Sequence, residues 1–321
     1  MAEVEVSDQL TLVELAKRTH HGDVIDIAEV LSEDNELFVD AIFVEANGTD
    51  SHTFTQRTSE PTGSWSMINK GIPYESSTTK QVVEPIAMLE SYSRVDDRLL
   101  RKAKDKQKFR RDEDLSHVNG MIKTIHTAFF YSSLAEDMRK IDGVSTRYNA
   151  LSDANVYDGG GSGGDETSIW LVQWGRDKVF LTYSIVSPTG TPIGFEDLGK
   201  KLVEDSDGNP YQAWVTHFEF EIGICIKDDR CIQRIANVEQ SGTTNIFDED
   251  LVIEALNNMP NRGSGATIYA NIPIVTQVDI RAKDKTNVSY GMDTVFGQQV
   301  TTFMKRPVRL IEKLTDETTV T

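Results

Sequence analysis

Several patterns in this 321-residue sequence have residue types and spacing that could do chemistry, and each lacks a necessary part. Gly194-Phe195-Glu196-Asp197-Leu198-Gly199-Lys200-Lys201 nearly spells a phosphate-binding loop. Such a loop cradles phosphate with backbone N–H groups and ends in a Ser or Thr that holds magnesium. Here Lys201 stands last, and Glu196 and Asp197 would repel phosphate, so the stretch reads as a surface turn running into a helix. Gly160-Gly161-Ser162-Gly163-Gly164 formally satisfies the nucleophile-elbow pattern. A working elbow needs a strand before it and a helix after it. Residues 153–158 are polar instead, so the glycine run reads as a mobile loop. His20, His21, His52, His117, His126 and His217 have no Cys or acidic partner at metal-ligand spacing. His117 and His126 share one expected helix but lie about 180° apart on it. Cys225 and Cys231 match no common zinc spacing and read as reduced, buried, small apolar residues. No carboxylate pair has a supporting site around it. The reading is a protein that is not an enzyme, with no catalytic, cofactor-binding or metal residues and no cofactor.

The formal charge of −18 argues against gripping nucleic acid, which needs a basic footprint. DNA could lie nearby without adhering, because like charges repel. The basic cluster is residues 98–111, RLLRKAKDKQKFRR. Its plain reading is a solvated helix face. Its functional reading is a surface that interlocks with acidic segments of a sister subunit. The opening residues MAEVEVSDQLTLVELAKR lack the basic start and apolar core of a signal peptide. No apolar run approaches the ~20 residues of a membrane span. A soluble protein in a reducing compartment is expected, and the sequons at Asn47 and Asn287 then carry no weight.

The elements follow from periodicity. Residues 7–18 and 23–31 suggest short helices. The apolar residues 37–39 and 41–44 lead to Asn47-Gly48. Residues 81–92 read as a strand bent or set at an edge by Pro85, and 95–106 as a charged helix. The longest helix is expected over residues 112–140, about 40 Å long, with Ile122, Ile125, Phe129, Phe130, Leu134 and Met138 as its stripe. Gly120 marks a bend or a close contact within it. Residues 167–172 and 178–183 flank Trp174-Gly175-Arg176-Asp177 as a hairpin. Residues 211–225 alternate as a strand, and 248–259 form a compact helix with Leu251, Ile253 and Leu256 inside. Residues 272–280 are ambiguous between helix and strand, while 295–297 and 308–311 are strand-like. The Thr-rich tail after Leu314 reads as frayed.

One stretch cannot be self-sufficient. Residues 49–83, TDSHTFTQRTSEPTGSWSMINKGIPYESSTTKQVV, carry β-formers on both sides of two turns, Pro61-Thr62-Gly63 and Lys70-Gly71. They read as a long two-stranded arm, which alone is marginal in water. The simplest support is a neighbouring copy of the same chain. Phe54, Arg57, Trp65, Met67, Ile68, Ile72 and Tyr74 are the expected intersubunit contacts, since aromatic residues, Met and Arg are enriched at interfaces.

Three stretches resemble the major capsid proteins of tailed bacteriophages, and within them the epsilon-fifteen-like podovirus group. They are residues 26–31 with Asn35-Glu36-Leu37 and Asn47-Gly48; residues 57–65 with 69–73 and Ser76, Thr78 and Thr79; and Tyr269-Ala270-Asn271 with 283–287 and 296–300. Glu60 and Ser66 replace the group's Leu before the Pro and Arg after the Trp, and Ala270-Asn271 replaces a frequent Cys-Asn. The resemblance implies an α+β, HK-97-type capsid fold. Its parts would be an N-terminal arm (1–45), an extended β-hairpin loop (46–84), a peripheral domain with a long spine helix (85–142 and 267–321) and an axial α/β domain (143–266). It implies a structural protein that self-assembles into hexamers and pentamers of an icosahedral phage head around double-stranded DNA. Implied partners are sister copies, a decoration or cement protein, and portal and scaffolding functions, without sequence-specific nucleic-acid binding or membrane contact. The implied location is the virion, after assembly in the host cytoplasm. The rival readings are a soluble binding module, or a hydrolase without a recognisable active site.

Overall fold

The computed structural model describes residues 19–20, 23–24, 36–162, 164–186, 192–283, 290–295 and 298–321. The expected helix 7–18 lies outside them, as do most of 23–31 and the stretches 284–287 and 296–297. Asp23 and Val24 are extended and pair with Thr19 and His20. The helices are α1 (Glu36–Asp40), α2 (Asp97–Lys102), α3 (Lys106–Tyr131), α4 (Val144–Arg147), α5 (Glu249–Asn258) and α6 (Ile272–Ala282). The strands are β1 (Thr19–His20), β2 (Asp23–Val24), β3 (Phe43–Glu45), β4 (Ser51–Ser59), β5 (Thr78–Pro85), β6 (Ala87–Asp96), β7 (Val156–Asp158), β8 (Glu166–Gln173), β9 (Val179–Tyr183), β10 (Ile193–Glu204), β11 (Pro210–Ile226), β12 (Ile232–Glu239), β13 (Ala266–Ala270), β14 (Tyr290–Val295), β15 (Gln298–Phe303) and β16 (Arg306–Leu310).

Among the described residues two large sheets and one long helix enclose the main core. One sheet runs β10-β11-β9-β3, with β6 also paired to β11. The other runs β14-β15-β16-β13-β8-β12-β7. Met121, Ile125, Phe129 and Phe130 of α3 pack with Leu181, Ile222 and Ile224 of the first sheet and Trp170, Val172 and Ile232 of the second. A second cluster covers the far face of the second sheet, joining Ile169, Leu171 and Ile235 to Val252 and Leu256 of α5 and Ile274 and Val278 of α6. Side chains alternate across a strand, so β8 with both faces covered is buried along its whole length.

That double burial corrects the hairpin expectation. A turn does lie at Gly175, whose N–H donates to the Val179 carbonyl at 2.9 Å. Its two flanking strands then diverge: β8 pairs with β12 and β13, while β9 pairs with β11 and β3. A strand buried on both faces needs ladder partners on both edges, and these neighbours come from distant sequence.

The long helix is also displaced from its expected span. It starts at Lys106, where Asp105 caps it by accepting from the N–H groups of Gln107 and Lys108, each at 3.0 Å. It ends at Tyr131 after 26 residues, about 39 Å. Ser132 turns the chain, its hydroxyl donating to the Ala128 carbonyl at 2.6 Å and its own carbonyl accepting from Gly143 N–H at 2.8 Å. The returning chain lies so close that a Cβ on Gly143 would sit 2.7 Å from the Phe130 carbonyl oxygen. Gly120 faces open space within a continuous helix, with no close contact.

The phosphate-loop look-alike lies in strand β10, antiparallel to β11 with a bulge between Asp197 and Gly199, so neither turn nor helix forms there. The glycine run is tied to β12: Gly159 and Gly161 donate to the Ala236 and Asn237 carbonyls, each at 2.8 Å. The run 272–280 is helical, started by Pro273 in its first turn and by Asn271, whose side chain accepts from Ile274 N–H. In α5 the buried residues are Val252, Ala255 and Leu256, while Leu251 and Ile253 pack at the margin.

The tail expected to fray is built in. Glu317 pairs with Arg234 at 2.6 Å, and both side chains are over nine-tenths buried. Arg234 also donates to Ser168 Oγ at 2.9 Å and to the Tyr148 carbonyl at 2.6 Å. Val320 and the Asn237 side chain exchange two hydrogen bonds, at 2.8 and 3.0 Å. Replacing Glu317 would leave a buried guanidinium without its counter-ion. Glu317→Ala is expected to cost about 3–5 kcal/mol of subunit stability, measured as a fall in the urea unfolding free energy.

His126 gives a pH signature. It is fully buried on α3 against Phe38 (ring centroids 4.9 Å), and neither ring nitrogen has a partner. Burial, with Lys313 adding repulsion, lowers its pKa to about 4. The unfolded chain takes up this proton near pH 6.5 and the folded chain only near 4, so stability falls as pH drops through that window. His126→Leu is expected to flatten the loss between pH 6.5 and 4, on the order of 3 kcal/mol, in urea titrations across pH.

Candidate assembly interface

The arm begins where β4 and β5 pair, from Ser51 opposite Pro85 to Ser59 opposite Thr78. Its base is fixed to the body by groups far apart in sequence. Phe54, only 7% exposed, packs with Phe180 and Cys225, bordered by Val44 and Val82. The Gln56 side-chain amide donates to the carbonyls of Ile226 and Lys227, at 3.1 and 3.0 Å. Glu84, also buried, accepts both arms of the Arg147 guanidinium at 2.7 and 2.6 Å. Asn47 closes the entry turn, accepting from Thr53 N–H at 2.8 Å and donating to the Thr53 carbonyl at 2.6 Å. Gly223 lets β11 pass beneath, because a Cβ there would lie 2.8 Å from both the Pro85 oxygen and Thr182 Cγ2.

Beyond the base no other described part of the chain covers the arm. Residues 57–81 are exposed throughout, and 60–77 form no strand. Thr78 Oγ1 lies 2.7 Å from both Thr58 and Ser59 hydroxyls, zipping the end of the ladder. The tip is shaped by polar contacts: Glu75 accepts from Gly63 N–H at 2.9 Å and Ser64 Oγ at 3.2 Å, and Lys70 N–H donates to the Met67 carbonyl at 3.1 Å. Asn69 adopts φ +67°, a conformation Asn tolerates. This frame displays apolar residues outward. Trp65 and Tyr74 are each 105% exposed and Ile68 89%, with Met67 and Ile72 more than half exposed. Clustered apolar exposure of this kind marks an interaction surface.

Of the seven expected contact residues, the structure brings Trp65, Met67, Ile68, Ile72 and Tyr74 together on the uncovered tip. Phe54 is a correction: it is buried in its own chain, because β4 lies over Phe180 there. Arg57 is exposed and pairs with Glu60 at 3.5 Å. The base clamp of Gln56, Glu84 and Arg147 escaped the sequence reading, since these residues carry no local motif that points to a partner so far along the chain. The basic run is largely engaged: Arg98 binds Asp96, Arg101 binds Asp97, and Arg110 binds Asp197 at 2.6 Å. Lys200 and Trp214 donate to Asp97 and hold its carboxyl below the usual range. Both cysteines are buried, and burial pushes the thiols up to about 12 for Cys225 and about 11 for Cys231, so neither is a nucleophile. Among the described residues no group of His, Cys, Asp or Glu is placed to hold a metal ion, and no helix is long and apolar enough to cross a membrane.

The sequence model of the family described as major capsid protein GP7 matches residues 19–321. A solved structure from bacteriophage Epsilon15 is similar with a TM-score of 0.69 at 23% identity, covering 100% of this chain and 99% of that one. The capsid of bacteriophage JBD30 is similar with a TM-score of 0.51 at 9% identity, covering 90% of this chain and 93% of that one. No curated protein matches the sequence. The fold is the α+β capsid fold of the HK-97 type, and the chain carries a hairpin arm and one long helix.

The two ends of the arm should respond differently in the isolated subunit. Phe54→Ala opens a cavity at the base and is expected to cost about 3–5 kcal/mol in chemical denaturation. Trp65 is fully exposed among the described residues, so Trp65→Ala is expected to stay within about 0.5 kcal/mol of the parent.

Proposed function

The chain belongs to the major capsid protein GP7 family, and on that premise we propose how its arm builds the shell. A major capsid protein is a structural protein of the virion, not an enzyme. The observation that carries the mechanism is the apolar tip, Trp65, Met67, Ile68, Ile72 and Tyr74, which the described residues of its own chain leave uncovered. Each tip lies over an adjacent subunit, where its apolar side chains leave water. Association gained this way stabilises the folded subunits by mass action.

In this reading copies close into hexamers and pentamers of an icosahedral head around double-stranded DNA. The arm (1–45), extended loop (46–84), peripheral domain (85–142 and 267–321) and axial domain (143–266) are the parts that meet there. The described hairpin, anchored between Ser51 and Pro85, supports the limits of the loop. Assembly takes place in the host cytoplasm, with portal and scaffolding functions and a decoration or cement protein as partners. An acidic inner face would keep the genome from adhering, in keeping with the charge of −18.

Purified protein is expected to form polyhedra, capsomers or tubes in negative-stain microscopy. Trp65→Ala is expected to lower particle yield in sedimentation at least about ten-fold, equivalent to the loss of one interface anchor, with an unchanged circular dichroism spectrum. Normal particle yield from this variant would count against the tip as the intersubunit anchor.

A further inference from the structure

We propose that a cleft between α3, β6 and the loop that follows α3 binds a small zwitterion with an apolar side chain, the chemistry of a free hydrophobic amino acid. The site is apart from the arm tip and does not depend on the shell reading.

The cleft has a volume of about 380 Å³, within the usual range of small-molecule sites. Ala87 and Leu89 of β6, Ile125 and Ala128 of α3, Ile141 and Ile222 give it apolar walls. Thr124, Thr127, Ala128 and Tyr131 also line it, and their helical spacing makes one face of α3 a single wall. The hydroxyl groups on that wall are already engaged. Thr124 Oγ1 donates to the Gly120 carbonyl at 3.0 Å, and Thr127 Oγ1 to the Lys123 carbonyl at 3.1 Å. Ser132 Oγ lies 2.6 Å from the Ala128 carbonyl oxygen and 2.5 Å from that of Ile141. Tyr131 Oη accepts from Thr315 N–H at 3.1 Å. The chamber therefore offers a guest apolar surface rather than hydrogen bonds.

The polar groups come from the loop. Asp137 and Arg139 pair with each other at 3.0 Å. Glu136 and Lys140 both line the cleft and are exposed, and neither makes an ion pair among the described residues. Arg139 chiefly, with Lys140 acting through space, holds the Asp137 carboxyl low. Two opposite charges thus stand at the mouth of an apolar chamber without closing on each other. A guest ammonium can meet Glu136 and a guest carboxylate Lys140 while its side chain leaves water in the cleft. An uncharged guest leaves both charges unused, and a guest with one charge leaves one. Occupancy would stabilise the folded subunit by mass action.

The test is calorimetric titration of the full-length chain with L-phenylalanine, phenethylamine, 3-phenylpropanoate and glycine. L-Phenylalanine is expected to bind saturably at one site per chain. Phenethylamine and 3-phenylpropanoate each lack one of the two charges. They are expected to bind at least about three-fold more weakly, the effect of one ion pair at an exposed mouth. Glycine, without an apolar side chain, is expected to show no saturable binding. Glu136→Gln is expected to abolish the preference for L-phenylalanine over 3-phenylpropanoate, and Lys140→Gln the preference over phenethylamine. Both side chains are exposed, so circular dichroism is expected to stay unchanged in each variant. Absence of saturable L-phenylalanine binding would overturn the proposal. So would equal or tighter binding of either single-charge probe, binding of glycine as tight as that of L-phenylalanine, or preferences unaltered in the two variants. No step requires assembled particles, so failure here leaves the shell reading standing.

Discussion

Everything in this structure turns on apolar surface held out in water, uncovered by the described residues of its own chain. A free tip carrying Trp65, Ile68 and Tyr74 in water is unfavourable by the transfer free energy of those side chains, about 1.5–3 kcal/mol for each large one fully covered later. The chain does not relieve this by folding the arm back. Among the described residues the arm between Ser59 and Thr78 is exposed throughout, and the contacts that shape the tip are polar and local, Glu75 with Gly63 and Ser64. The tip is therefore shaped before it meets a partner. Pre-shaping matters because each flexible side chain ordered on association costs free energy that an already ordered one does not.

A projecting hairpin is useful only if its base does not swing. The base sits where β11 leaves β10 and β6 to join β9, so both halves of the first sheet bear on it. Apolar packing at Phe54, amide bonds from Gln56 to the end of β11, and the buried Glu84–Arg147 pair tie it to three separate parts of the body. The ion pair adds direction rather than much net stability, because burying both charges offsets most of their attraction. Arg147 lies on α4, which follows the turn after α3 and so relates the arm to the long helix. Asp40 does the same for the N-terminal side, bound by Arg309 at 3.0 Å through two bonds and by Tyr269. That explains the Tyr-Ala-Asn stretch physically: Tyr269 fills the core and bonds Asp40 and Trp174, Ala270 fits a fully buried strand position, and Asn271 caps α6.

What could be read in the sequence was whatever depends on near neighbours. The hairpin arm announced itself through β-formers around turns, and its tip through apolar residues in a polar setting. The long helix was legible in kind, but its limits were set by Asp105 and by the return of the chain through Gly143, which periodicity does not report. Partners across long separations were hidden. Trp174 and Gly175 make a good local turn, yet the strands on each side join different sheets because each is buried on two faces. The tail looked frayed because Thr-rich composition says nothing about Arg234, whose buried charge needs Glu317. Phe54 and Trp65 are both aromatic residues in one extended stretch, and only the position of Phe180 distinguishes the anchor from the exposed contact.

Charge and arm act at different ranges. Bodies carrying −18 each repel one another, but at physiological salt that repulsion is screened over about 8 Å. The twelve residues from Arg57 to Ile68, past the base, can span up to about 40 Å, several screening lengths. The apolar tip can therefore make contact while the acidic bodies are still far apart, and apolar contact is not itself weakened by modest salt. The basic run fits the same scheme, since most of its arginines already neutralise acids of their own chain and draw β10 and β11 onto the start of α3. Reach supplied by the hairpin and repulsion supplied by the bodies together favour association through the arm over indiscriminate sticking of one body to another.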